Sequence, residues 1–254
     1  MTLISVSSCW CAAPLSIRPK REIAAVLAQG PSLYLGDLLR ADLALKTGLP
    51  RGESTRRRLL IAATDIVQKD GYAHLTVAAI CKAAGFAHGT FYLHWSDRRA
   101  IASDIISDLM VAIRQHRPRS PDGTDFYERL VIGHRYYVAM YRQNSGLMLC
   151  QWQLADEIPG FSGIGASANR ALADRVLRAA AREPYRLSEP ADQQLVVVLS
   201  CIAMVDKLLH DVFTRELDLG MDEEALAHSI SRTWFRALFA GEPEIANPNS
   251  PKNQ

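Results

Sequence analysis

Residues 54–96 cannot form one long helix, and this constrains the chain more than any other feature. Leu59, Ala62, Ala63 and Ile66 fall at i, i+3, i+4 and i+7, and Val77, Ile80, Cys81 and Ala84 repeat the interval. Gly71 and Gly85 end the two runs, and glycine accepts the left-handed turn that closes a helix. Thr55 and Thr76 are suited to start them, since a hydroxyl at that position accepts from a free backbone N–H. Only two residues after Gly85 a third pattern opens, over about 88–94. There Phe91 and Trp95, four apart, face inward and leave His88, Thr90 and Tyr92 outside. Ser96 is expected to cap a fourth helix, with Asp97 near its positive end. Two short helices joined by a glycine-containing turn make a helix-turn-helix, whose second helix enters the major groove of DNA.

The charges agree. Residues 1–100 hold 13 Lys/Arg against 7 Asp/Glu, a net of +6, whereas residues 101–254 hold 16 against 20, a net of −4. A basic half joined to an acidic half suggests that one part faces a polyanion. Arg56, Arg57 and Arg58 open the first helix of the motif, and Arg98 and Arg99 open the fourth. Such long cations reach phosphates on either side of a groove and supply affinity and register, while the short helix reads base edges.

Residues 54–101, STRRRLLIAATDIVQKDGYAHLTVAAICKAAGFAHGTFYLHWSDRRAI, resemble the N-terminal domain of the tetracycline-repressor-like (TetR/AcrR) family. The shared pattern is T-R, A-A, the G-Y turn, T-V-x-x-I, A-G-x-x-x-G-T-x-Y, then a charged helix start. The resemblance implies a ligand-responsive DNA-binding regulator: a homodimeric repressor on a pseudo-palindromic operator, released by a small molecule. It assigns Thr76 to a phosphate, His88 and Thr90 to the groove, and Gly89 to close backbone approach. Tyr92, His94 and Arg98 match positions that touch phosphates. Ala87 stands where the family often has Ser or Thr, so a cap is missing and an approach to a thymine methyl becomes available.

The fold class expected is all-α. The C-terminal half reads as helices over 97–117, 124–144, 145–156, 160–182, 191–217 and 221–240, separated by prolines such as Pro118, Pro121, Pro159, Pro184 and Pro190. Val196–Val198 looks strand-like but lies within an apolar pattern too long for a strand. The helix over 192–217 is apolar on two faces: Leu195, Leu199, Ile202, Leu209 and Phe213 on one, Val198, Cys201, Val205, Leu208 and Val212 on the other. Such a helix needs two partners, its own core and, as a candidate for the second, its twin. The family resemblance implies that the last two helices pair between subunits, so the first face, with Ile230 and Trp234, is the expected dimer interface. Tyr127, His134, Tyr137, Tyr141 and Trp152 are candidate lining for an apolar or aromatic effector.

The expected organisation is a disordered leader (1–14), a helical extension (15–50), the DNA-binding head (51–100), a ligand and dimerisation domain (101–240) and a loose tail (241–254). In the extension, helical patterns over 21–29 and 34–47 admit two roles. Leu35, Leu38, Leu39 and Leu43 can dock on the head, and Arg18, Lys20 and Arg21 can enter a minor groove. Five cysteines at irregular spacing make no disulfide framework and point to a reducing cytoplasm. Cys9 and Cys11 lack the further ligands that zinc needs, so neither a metal nor a cofactor is expected. No apolar run approaches a membrane span, and the opening residues lack the charged start of a signal peptide. No catalytic motif is present, and an enzyme is not expected. An activator or a ligand-independent adaptor of the same fold are the alternatives.

Overall fold

The computed structural model describes residues 32–158, 162–190 and 192–240, and the side chains of 162–164 are not among those described. Its α-helices are α1 (Leu35–Leu45), α2 (Arg51–Asp70), α3 (Val77–Ala84), α4 (His88–Tyr92), α5 (Arg98–Gln115), α6 (Phe126–Gln143), α7 (Ser145–Glu157), α8 (Ser162–Ala180), α9 (Gln194–Thr214) and α10 (Glu223–Leu238). A 3-10 turn, Tyr72–His74, separates α2 from α3. Among the described residues there is no strand, only an isolated bridge between Leu187 and Phe239, and the all-α expectation holds. No helix there is long and apolar enough to cross a membrane. The expectations for residues 1–14, 15–31 and 241–254, including Arg18, Lys20, Arg21, Cys9 and Cys11, lie outside the described residues.

The chain falls into two compact units, and their boundary differs from the expected one at residue 100. Among the described residues, the first unit holds those from 32 to 117 together with 142–157; the second holds 118–141 and the described residues between 158 and 240. Helix α7 therefore belongs with the helix-turn-helix. The cause is close packing on α2: a Cβ on Gly146 would lie 2.5 Å from the backbone oxygen of Gln68, so only glycine fits. The Gln68 side chain then accepts from the backbone N–H of Gly146 and Leu147, at 3.2 and 3.4 Å, serving the open N-terminus of α7.

Helix α2 begins at Arg51, after an extended Pro50, one turn earlier than a Thr55 cap allows. Proline before the first turn costs nothing there, because early N–H groups have no partner within the helix. Gly71 closes α2 at φ +85°. Leu59, Leu60, Ala63 and Val67 line its fully buried face.

Helix α1 docks on the first unit. Leu35, Leu38 and Leu39 are buried, Leu43 half so, and Asp42 is sealed against the guanidinium of Arg57. Ahead of it, the backbone N–H groups of Leu33 and Leu35 donate to the side chains of Gln143 and Asn144, both at 2.9 Å. Asn144 returns a bond to the Leu33 carbonyl at 2.8 Å.

In the second unit α9 packs on α8 and α10. Phe126, Tyr185, Phe235 and Phe239 form an aromatic cluster beside them, with ring centroids 4.9–5.2 Å apart. Desolvation pushes the Cys150 thiol up to about 12 and Cys201 up to about 11, so each packs as a small apolar group.

Candidate nucleic-acid interface

Local chemistry builds the helix-turn-helix as expected. The Thr76 hydroxyl caps α3, accepting from the Ala79 N–H at 3.1 Å. Gly85 closes it in the left-handed region at φ +74°, ψ +36°, a conformation costly for other residues. Ala87 then sits at the extended position before α4, with no side-chain cap. Helix α4 is only five residues long, and two aromatic anchors hold it. Phe91 is fully buried and Trp95 nearly so, their rings 5.8 Å apart.

The opposite side is open. Thr76, Ala87, His88 and Gly89 are exposed, Thr90 and His94 are half-buried, and Tyr92 is 56 % exposed. A Cβ added to Gly89 would meet nothing within 4 Å, so no neighbour inside the chain requires glycine there. Leu93, at 79 % exposed, was not anticipated. Its signal was available, because two residues from both Phe91 and Trp95 puts it on the far side of the turn. Lys82 on α3 is exposed beside the same motif and was likewise missed. Burial and the nearby Arg56 cation lower the His94 pKa, which leaves its imidazole neutral near pH 7.

The five flanking arginines do not behave alike. Arg56, expected at a phosphate, is held inside the chain. Its guanidinium pairs with Asp104 of α5 and lies over the Trp95 ring, 4.9 Å from the centroid, and its side chain is only 13 % exposed. Trp95 donates to the same carboxylate at 2.8 Å, closing a three-residue bracket between α2, α5 and the end of α4. Arg57 is buried between Asp42 and Glu53. Arg58 is exposed and rests over Phe86. Arg98, half-buried, lies over the Tyr72 ring at 4.9 Å. Arg99 is exposed, with Glu157 at 3.5 Å. Asp97, not Ser96, caps α5, accepting from the N–H groups of Arg99 and Ala100 at 2.8 and 3.0 Å.

Four of the five residues expected to line an effector site lie on one side of α6 in the second unit. Tyr127 bonds His228 at 3.3 Å and His134 bonds Ser231 at 2.8 Å, both partners being on α10. Tyr137 donates to Asp206 of α9 at 2.7 Å. Tyr141 lies edge-on to Tyr137 and stacks on Phe213, its centroid 6.2 and 6.1 Å from theirs. Trp152 does not join them: it belongs to α7 in the first unit and is 42 % exposed. The indole N–H of Trp234, beside the His134 ring, is buried without an acceptor among the described residues.

The expected dimer face also needs correction. Ile202, Leu209, Ile230 and Trp234 are at most 5 % exposed within one chain, so they are core, and an outer surface cannot be made from them. Leu195, Leu199 and Phe213 are half-buried or better. The open side of α9 carries Val196, Ser200, Ala203 and Met204, with Val196 65 % exposed. Among the described residues no group of three or more His, Cys, Asp or Glu is placed to hold a metal ion.

Residues 59–105 match the model of the family described as bacterial regulatory proteins, tetR family. A helix-turn-helix transcriptional regulator of Bacillus subtilis, YdgC, is 34 % identical over 65 residues, covering 26 % of this chain and 33 % of the relative. The chain thus spans about a third of that relative's length in the match. Among solved structures, a transcriptional regulator from Rhodococcus sp. RHA1 superposes with TM-score 0.59 at 17 % identity, over 74 % of this chain and 96 % of the other. SmeT, the repressor of the Stenotrophomonas maltophilia multidrug efflux pump SmeDEF, gives 0.57 at 20 % identity, over 79 % and 99 %. Those identities speak for the fold alone. The capped, glycine-closed motif and the family match fall on the same residues, so residues 59–105 are similar to the helix-turn-helix region of the tetR family of bacterial regulatory proteins.

Proposed function

We propose that this chain is a homodimeric repressor that binds a pseudo-palindromic operator and leaves it when a small molecule enters the second unit. The observation that carries the reading is α4, a five-residue helix anchored by Phe91 and Trp95 with its polar side turned to solvent. His88 and Thr90 read base edges, and Ala87 meets a thymine methyl. Gly89 faces open space, which supports a role outside the chain, namely letting the duplex backbone come close. Thr76, Tyr92, His94 and Arg98 hold phosphates, joined by Arg58, Arg99 and Lys82, whose charges face solvent. Arg56 acts indirectly, by fixing α5 against α4 through Asp104.

Two recognition helices reach successive major grooves only when about 34 Å apart, which requires a symmetric pair of chains. The open, small-residue side of α9 around Val196 and Met204 is the surface we assign to that pairing. An effector shifts the equilibrium only if it binds the released conformer more tightly. The residues of α6 that contact α9 and α10, and the unmatched Trp234 N–H, support the second unit as its site.

Selection of bound sequences from random duplex DNA by the full-length protein, followed by mobility shifts, tests the proposal. An inverted repeat bound in a salt-sensitive manner is expected. Uniform affinity for all sequences would refute it.

A further inference from the structure

Helix α9 is apolar on nearly every side, yet Asp206 stands in its middle. A carboxylate in such surroundings is costly unless a charge or several donors compensate it. Two other sheltered carboxylates have cationic partners: Asp42 has Arg57 and Lys46, and Asp104 has Arg56. Asp206 does not. Its partner is the neutral phenol of Tyr137, at 2.7 Å, and no Lys, Arg or His pairs with it among the described residues. Lys207, its neighbour in sequence, is engaged with Asp211. His210, one turn on, has its pKa lowered by burial and by Arg215 and Lys207, and so brings no positive charge at neutral pH.

The surroundings of this carboxylate are aromatic. Tyr137 presents its edge to Tyr141 with the planes at 90°, and Tyr141 stacks on Phe213 at 28°. Tyr137, Asp206 and Phe213 are each half-buried, so none of them is sealed completely into the core. Desolvation nonetheless pushes Asp206 up to about 6, which means its charged form is held at a cost that a bound cation would relieve.

We propose that Asp206, with Tyr137, Tyr141 and Phe213 around it, recognises a positively charged effector: an ammonium or related cation carried on an apolar or aromatic body. The carboxylate supplies charge, and the rings supply cation–π attraction and apolar contact. This rests on the reading of the second unit as an effector domain and sharpens the apolar or aromatic ligand expected there.

The test uses the full-length protein, three small probes and two readouts. Phenyltrimethylammonium is compared with its neutral isostere tert-butylbenzene and with benzoate, by calorimetric binding and by release of the selected operator fragment. The cation is expected to bind about tenfold more tightly than the isostere, the scale of one desolvated cation–π interaction. Asp206→Asn is expected to abolish that preference while keeping the isostere's affinity. Equal or better binding of tert-butylbenzene or benzoate, absence of binding by all three, or an undiminished preference in Asp206→Asn would overturn the proposal. The two readings fail separately. A cation bound through Asp206 without operator release sinks the effector reading alone, while release by the neutral or anionic probe and not by the cation sinks this one alone.

Discussion

The α3–α4 motif and the α9–α10 pair are both built from apolar residues at helical spacing, and they differ in how much that spacing decides. In the motif each helix is short and has one apolar side, so naming the inward residues also names the outward ones. Phe91 and Trp95 go in, and His88, Gly89 and Tyr92 are left out. Helix α9 is apolar on two sides, and spacing cannot say which of them meets its own core. The side carrying Ile202 and Leu209 is sealed within the chain, and the open side carries Val196 and Met204. A single apolar stripe is informative; two are ambiguous.

Leu209→Ala puts this contrast to its most severe trial. A fully buried leucine leaves a cavity, and a drop of about 3 kcal/mol is expected in denaturant unfolding. That drop should not depend on protein concentration, whereas Val196→Asp should leave stability nearly unchanged and weaken self-association in sedimentation. The reverse pattern would return Leu209 to the subunit interface.

In the first unit, Asp42→Ala strips Arg57 of its sealed partner and should cost a similar amount, about 3 kcal/mol. If α1 were only loosely attached, the cost would approach zero.

Asp206→Asn should act in the opposite direction. Because the folded state holds this carboxyl at about 6 against 3.8 in the unfolded chain, the native protein binds the proton more tightly. Stability contributed by Asp206 is therefore full below pH 4 and falls as pH rises through 6. The asparagine variant should be about 2 kcal/mol more stable at pH 7, and that gain should vanish in unfolding curves measured near pH 4. A gain independent of pH would show that burial of the charge is not its source.

Gly89→Ala separates fold from function within the motif. Open space around the new methyl and better helix propensity predict a gain of about 0.5–1 kcal/mol in stability. Operator affinity should nonetheless fall about tenfold if the duplex backbone approaches there. An unchanged affinity would remove Gly89 from the interface.

The smallest effect is expected from Arg98→Ala, which should weaken binding to all sequences alike. The salt slope should fall by about 0.9 for each phosphate that is no longer neutralised. A changed base preference would show that Arg98 reads sequence.

Much of the head was legible before any coordinates. Thr76, Gly71 and Gly85 mark ends that the structure reproduces, because a capping hydroxyl and a left-handed glycine act within four residues. Boundaries were less secure where two good candidates adjoined: Asp97 took the cap assigned to Ser96, and Pro50 opened α2 ahead of Thr55. Among the cations, identity was plain and direction was not. Arg56, Arg57 and Arg58 are consecutive and chemically equal, yet one meets Asp104, one is buried against Asp42 and one faces solvent. The residues expected to line an effector site divided in the same way, four along α6 and Trp152 in the other unit.

What sequence alone determined is therefore everything that short-range physics controls: helix content, the glycine-closed turns, the anchors of α4 and the basic character of the head. Tertiary packing decided the rest. It drew α7 into the first unit through the close approach at Gly146, chose which side of α9 is core, and set a lone carboxylate among aromatic rings. The reason is range. A cap or a glycine turn is settled by residues within one helical turn, whereas the partner of Arg56 lies 48 residues away and that of Tyr137 lies 69 away.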